Sequence, residues 1–174
     1  MKWPEIASPV DEAIRIERCG WLRLPTVYRI HRGCFPHPYP LWRFVVYLLG
    51  AESRIYVALL ENEVRGYVIG TVTAQQRPYL TGEIISLAVL PEWRSRGIGR
   101  LLLEAAERFL SRSGISEIFL QVAVSNDVAR ALYQQMGYQQ LDRLPRYYLN
   151  GEDAYLMCRR LNNPPRLAPG RSRR

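Results

Sequence analysis

The sequence predicts a mixed α/β domain of the α+β kind: a mostly antiparallel sheet of seven strands with one parallel pair inside it, and about four helices. Three observations predict it. Apolar periodicity switches along the chain in the order β, α, α, β, β, β, α, β, α, β, β. The segment 82–91 is apolar on both faces, as a central strand must be. An amphipathic stretch from Ile98 separates that segment from another strand at 117–124, a crossover that sets the two strands parallel.

Taken in order, IRIER (14–18) reads as a first strand. Val27, Ile30 and Cys34 fall near helical spacing within 24–35, and 40–50 reads as a second helix. Between them CFPHPYP carries three prolines, which stiffen a loop of defined shape. Segments 54–61 and 63–74, rich in β-branched residues and joined across Glu61-Asn62-Glu63, predict a hairpin. After strand 82–91, apolar residues at 98, 101, 102, 105, 106 and 109 form one stripe of a helix that Gly114 stops. Strand 117–124 leads into a helix with Ser125 or Asn126 as N-cap and Gly137 as terminator. YQQLDRLPRYYL and EDAYLMCRRL close the chain as two strands, and the first of them puts Tyr147 and Tyr148 on opposite faces.

Composition narrows the function classes. At 174 residues, 48% of them apolar, the chain can bury a core as one domain. No stretch reaches the roughly 18 apolar residues of a membrane span, and the first residues hold acids where a signal peptide would be apolar, so a cytoplasmic home without membrane is expected. Three cysteines, Cys19, Cys34 and Cys158, and two histidines, His31 and His37, lack metal-ligand spacing; free thiols and no metal are expected. The formal charge is +8, nearly all arginine. Residues 162–174, NNPPRLAPGRSRR, carry four arginines and no acid, which predicts a disordered tail after a domain spanning 1–161. Attraction to RNA or another polyanion is expected only through that tail.

The most informative segment is RSRGIGR at 94–100. It joins a buried strand to an amphipathic helix, where the first backbone N–H groups have no internal partner and the helix dipole is positive. Its two glycines let the chain curl into a concave nest of donors suited to a pyrophosphate. A third glycine and a downstream acid, as in dinucleotide-binding folds, are missing, and so is the Gly-Lys-Ser/Thr of a nucleotide triphosphate loop.

Three segments carry a resemblance to a known family. LAVLPEWRSRGIGRLLL resembles the cofactor motif of the GNAT acetyl-CoA-dependent N-acetyltransferases, VSNDVARALYQQMGY resembles the motif that follows it, and RYYLNGEDAYLM resembles the closing segment of the branch that acetylates protein N-termini, the RimI-type and archaeal enzymes. CFPHPYPLWRF resembles the loop between that branch's first two helices. The resemblance implies a GNAT fold whose parallel central pair splays around acetyl-CoA, with acetyl-CoA as cosubstrate. It implies that backbone groups of Leu87, Ala88 and Val89 hold the thioester and pantetheine arm. It further implies that the N–H groups of Ser95, Arg96, Gly97, Ile98, Gly99 and Arg100 take the pyrophosphate, and that Asn126 touches the cosubstrate from the other side.

Attack of an amine on a thioester needs an unprotonated nucleophile, an oxyanion donor and a proton for the departing thiolate. By the resemblance the donor is a backbone N–H near Val89 and the acid is the phenol of Tyr133, seven residues after Asn126. The glutamate common five residues before that asparagine is here Gln121, which accepts no proton near neutral pH. Glu83, at the start of strand 82–91, is the alternative base, with Gln121 left to hold a water or a substrate amide. An α-amine, with a pKa near 8 against about 10.4 for lysine, could instead be served by ordered water. Phe35, Tyr39 and one of Tyr147 and Tyr148, Tyr147 by preference, are candidate walls for the peptide.

The expected activity is acetyl transfer to the N-terminal α-amine of a protein or peptide, with a ribosomal protein among the candidates. Acetylation of a lysine side chain or small amine is the alternative within the family. A non-catalytic acetyl-CoA-binding module tethered to RNA or the ribosome is the alternative outside catalysis, kept open by Gln121.

Overall fold

The computed structural model describes residues 14–74 and 79–162. The basic tail expected at 162–174 therefore lies outside the described residues except for Asn162. Seven strands form one sheet: β1 (Arg15–Arg18), β2 (Ser53–Leu60), β3 (Glu63–Thr73), β4 (Thr81–Val89), β5 (Glu117–Ala123), β6 (Gln139–Leu144) and β7 (Ala154–Arg160), in the order β1-β2-β3-β4-β5-β7-β6. Four α-helices accompany them: α1 (Leu24–Cys34), α2 (Leu41–Leu49), α3 (Ile98–Arg112) and α4 (Asp127–Gln135). Only β4 and β5 run parallel, and α3 is the crossover between them.

The hairpin between β2 and β3 closes on two residues, with Leu60 opposite Glu63. Glu61 and Asn62 both take positive φ, 51° and 62°, the mirror-image turn whose twist matches the strands it joins. Two cores flank the sheet. Leu102, Leu103, Ala106 and Leu110 of α3 pack with Val68, Ile84, Ile118 and Leu120 on one face. Val27 and Ile30 of α1 and Phe44 of α2 pack with Ile55, Val57, Tyr67 and Ile69 on the other.

A bulge in β4 decides which residues reach which face. Ile69 lies opposite Ser86 while Gly70 lies opposite Ile84, so Ile85 is the extra residue. Before the bulge Ile84 joins the α3 core; after it Leu87 and Val89 do, and Ala88 packs on the α1 side. The extra residue puts Glu83 and Ser86, three apart, on the same α1–α2 face, which strict alternation forbids.

Two of the boundary differences from the sequence reading have a visible cause. Strand β4 ends at Val89 because Pro91 starts a single 3-10 turn, Pro91–Trp93. The strand expected over 138–149 stops at Leu144: Pro145 follows, and Arg146 has φ 49°. Tyr147 and Tyr148 thus stand on a loop, and the alternation expected of them does not apply.

Candidate functional site

The parallel pair is joined for only two positions. Gly82 lies opposite Ile118 and Glu83 opposite Phe119, and past them no further pairing links β4 to β5, although both strands continue. The result is a cleft in the middle of the sheet. The Leu90 N–H donates to the Arg65 carbonyl of β3 (2.9 Å), so by alternation the backbone groups of Ala88 also face β3, whereas those of Leu87 and Val89 face the cleft. Of the three residues expected to hold a pantetheine arm through the main chain, Ala88 is turned away. The Val89 carbonyl accepts from Arg94 Nε (3.1 Å) and the Cys34 thiol (3.8 Å), which leaves its N–H as the group it offers.

The cleft ends at the 94–100 segment. Ser95 has φ 60° and Gly97 φ 77°; such alternation of handedness turns successive N–H groups into one concavity. A left-handed φ at serine is unusual and belongs with sites that need it. Leu101 makes the first helical bond, to the Gly97 carbonyl (3.1 Å), so the N–H groups of Ile98, Gly99 and Arg100 have no partner within α3. The two glycines serve different ends. A Cβ on Gly97 would meet nothing within 4 Å, so its glycine is required by conformation; one on Gly99 would press on Leu132 of α4 at 3.2 Å. Arg96 lies over the Trp93 ring at 4.6 Å, while Arg100 is drawn down the helix to Glu104 (3.0 Å). This cradle suits a pyrophosphate: unpaired donors, open space and a helix N-terminus coincide.

Across the cleft Asn126 caps α4, its Oδ1 accepting from the Ala129 N–H (3.1 Å), which leaves its amide nitrogen to donate elsewhere. Tyr133, two turns into α4, is 7% exposed and packs edge-on to Tyr138 at 5.7 Å. Burial pushes its phenol up to about 12, which keeps it protonated across the neutral range.

On the α1–α2 face the sequence-predicted substrate residues converge. Glu83 is half-buried and stands near enough to Gln121 of β5 for that amide to favour its charged form. Burial raises the Glu83 carboxyl above the ordinary carboxylate range, opposed by the Gln121 amide and by the Arg43 charge. The same carboxylate acts on the Tyr39 and Tyr147 phenols, both raised chiefly by burial. Tyr147 and Tyr148 meet edge-on at 5.1 Å, and the Tyr148 phenol, also raised by burial, lies in the field of Tyr147, Tyr39 and Tyr133. Both loop tyrosines therefore approach the same place, and Tyr148 is the one whose phenol also feels Tyr133. Phe35 packs on the His31 ring at 4.7 Å, as part of the core under the Pro-rich loop.

Sequence reading missed the group that fixes this loop. His31, 1% exposed, accepts from the Tyr39 N–H at Nε2 (2.8 Å), so its proton sits on Nδ1 and is given to Tyr67 Oη (2.7 Å). The Tyr67 hydroxyl is hydrogen-bonded in turn to Ser86 Oγ (2.8 Å). A buried chain thus runs from the residue after the β4 bulge to the backbone of Tyr39. Burial lowers the His31 pKa to about 4, and the ring is neutral. Its spacing was the available signal, because His31 falls four residues after Val27 on the buried face of α1. Arg43, the one charged residue of α2, was also missed as a site group; its guanidinium lies 4.3 Å over the Tyr39 ring. Among the described residues no group of three or more His, Cys, Asp or Glu could hold a metal ion, and no helix is long and apolar enough to cross a membrane.

Comparison with known proteins bears on this geometry. A family model described as the acetyltransferase (GNAT) family matches residues 24–138. An N-alpha-acetyltransferase of Saccharolobus solfataricus is 38% identical over 143 residues, which are 78% of this chain and 86% of that protein. One from Sulfurisphaera tokodaii is 35% identical over 152 residues, 83% of this chain and 91% of that protein. Among solved structures, the NatC complex bound to Gag peptide and CoA aligns at TM-score 0.78 and 25% identity, covering 86% of this chain and 99% of that one. The ribosomal-protein-S18-alanine N-acetyltransferase from Escherichia coli shares the fold, with TM-score 0.73, 24% identity, and coverage of 93% and 99%.

Proposed function

This chain belongs to the GNAT acetyltransferase family, and from that premise we propose that it transfers the acetyl group of acetyl-CoA to the N-terminal α-amine of a protein or peptide, by direct attack in a ternary complex. The observation that carries the reading is the place where β4 and β5 part, immediately after the Glu83–Phe119 pair, with Gln121 and the tyrosines around it. Relatives named N-alpha-acetyltransferase that match most of this chain support the α-amine as acceptor.

Acetyl-CoA supplies an activated acyl carbon: the amine nitrogen forms a C–N bond to it, and the C–S bond breaks to release the thiol of coenzyme A. In our reading the cleft-facing main chain of Leu87 and Val89 pairs with the pantetheine amides, and the Ser95–Arg100 N–H groups hold the pyrophosphate. The Val89 N–H faces the developing oxyanion. Glu83 takes the proton of the attacking amine, directly or through a water held by Gln121, and its raised pKa brings it closer to the amine it serves. Tyr133 gives its proton to the leaving sulfur. Tyr39, Tyr147 and Tyr148 flank the peptide, and the His31–Tyr67–Ser86 chain holds Tyr39 in register.

One observation favours a second acceptor class. A base at Glu83 is what a lysine ammonium demands and an α-amine can do without. The test is incubation with radiolabelled acetyl-CoA and three acceptor sets: free-N-terminus peptides, N-blocked lysine peptides and spermidine. Label on free N-termini alone is the expected result. Label on lysine or spermidine alone transfers the assignment to those amines, and label on none refutes catalysis of this kind.

A further inference from the structure

We propose that Arg43 reads an acidic side chain within the first two residues of the acceptor peptide, so that this protein favours N-termini carrying Asp or Glu there. The inference rests on the N-terminal acetyltransferase reading of the same site.

Arg43 stands in α2 as the only charged residue of LWRFVVYLL, half-buried and directed toward the substrate face of the sheet by its contact with Tyr39. Its neighbours are poor partners for a full charge. Nη2 donates to Tyr47 Oη at 3.4 Å, and the face of the guanidinium covers the Tyr39 ring. A guanidinium has five N–H donors, and here one is spent. Among the described residues ten ion pairs are formed, several of them on the open surface, and Arg43 is in none. Glu83 is near enough to feel the Arg43 charge, yet the two form no ion pair within 4.0 Å.

Geometry decides what such a group is for. Stacking on a ring uses the guanidinium face and leaves its edge free, and that edge is a planar fork matching a carboxylate in two parallel hydrogen bonds. The remaining donors have no protein partner among the described residues, so a carboxylate arriving with the substrate brings the charge pairing that none of those residues supplies. The place fits the start of the peptide: the same arginine acts on Tyr39 and Tyr147, which flank the acceptor, and on Glu83, where the amine must arrive. The surplus of 24 Lys and Arg over 16 Asp and Glu steers acidic chains toward the protein as a whole, and a separate control must isolate it.

The experiment is steady-state kinetics of the full chain with peptides identical except for one residue. Pairs compare Asp with Asn and Glu with Gln at position 1, then at position 2, and a control pair puts the exchange at position 6. The ratio of kcat/KM within a pair is the readout. For position 1 or 2 a ratio of about ten or more is expected, the scale of a hydrogen bond to a charged group, against a ratio near one at position 6. In Arg43→Gln the ratio falls toward one, and Arg43→Lys, a point charge without the fork, recovers part of it. A wild-type ratio near one at both positions overturns the inference whether or not the variants fold. So does an unchanged ratio in Arg43→Gln, or a loss shared by all peptides with a displaced pH profile, which would make Arg43 a charge balance for Glu83. Acetylation of neutral peptides alongside a flat ratio leaves the N-terminal reading standing and removes only this one; no acetylation of any peptide removes both.

Discussion

Acidification should unfold this protein partly through one side chain. His31 is buried and accepts from the Tyr39 N–H, so a proton on Nε2 would break that bond and charge the core. Burial holds it at about 4, against 6.5 for a free imidazole. The folded state therefore binds fewer protons than the unfolded chain in this window, and the contribution is present above 6.5 and lost as pH falls toward 4. Between pH 7.5 and 5 the loss amounts to about 2 kcal/mol, equivalent to about 4–8 °C in Tm for a domain of this size. The comparison variant is His31→Gln, whose amide oxygen reaches the Nε2 position and does not titrate. Urea denaturation of both proteins at pH 7.5, 6.5, 5.5 and 5 isolates the histidine, since every carboxylate is common to the two. The stability gap between variant and wild type should move by about 2 kcal/mol in favour of the variant on going to pH 5. Parallel pH dependence in the two proteins would refute the reasoning.

Three further variants test particular contacts. Glu83→Gln should lower turnover most below the pKa of the acceptor amine, with acetyl-CoA affinity by calorimetry unchanged. Because the folded carboxyl is raised, its charge destabilises the fold as pH rises above about 4.5, so the same variant should gain stability near pH 7 and lose that gain toward pH 4. Tyr133→Phe should keep cosubstrate binding and lose about a hundredfold or more in kcat, measured with thiol release; full turnover would assign the proton to another donor. Arg159→Ala strands Glu107, 6% exposed and paired to it at 2.7 Å between α3 and β7, and should cost about 3 kcal/mol in denaturant unfolding.

Periodicity made the elements legible, because each helix and strand buries one face against a sheet and writes that face into the sequence. The seven strands and four helices follow in the expected order. The bulge at Ile85 was not legible: GEIISLAVLP is apolar except at Glu83 and Ser86, and two polar residues three apart do not locate an extra residue in a run without alternation. Tyr147 and Tyr148 were misplaced for another reason: Pro145 marks the end of the pairing, and the strand propensity of the tyrosines beyond it outweighed that mark. His31 and Arg43 escaped attention as a polar residue on an apolar face and a lone charge in an apolar helix. Their meaning comes from partners on other elements, Tyr67 and Ser86 for the first and Tyr39 for the second.

A sheet that stops pairing at its centre is two half-sheets, β1 to β4 and β5 to β7, sewn together at Gly82 and Glu83. Each half then shows a raw inner edge to whatever is dissolved around it, the same kind of template that outer strands normally guard. A strand-like ligand in that seam is a structural member as well as a reactant. At a hundredfold excess over its Kd it adds about 2.7 kcal/mol to the stability of the folded chain. The lifetime of the protein, and not just its rate, should rise and fall with the supply of acetyl donor.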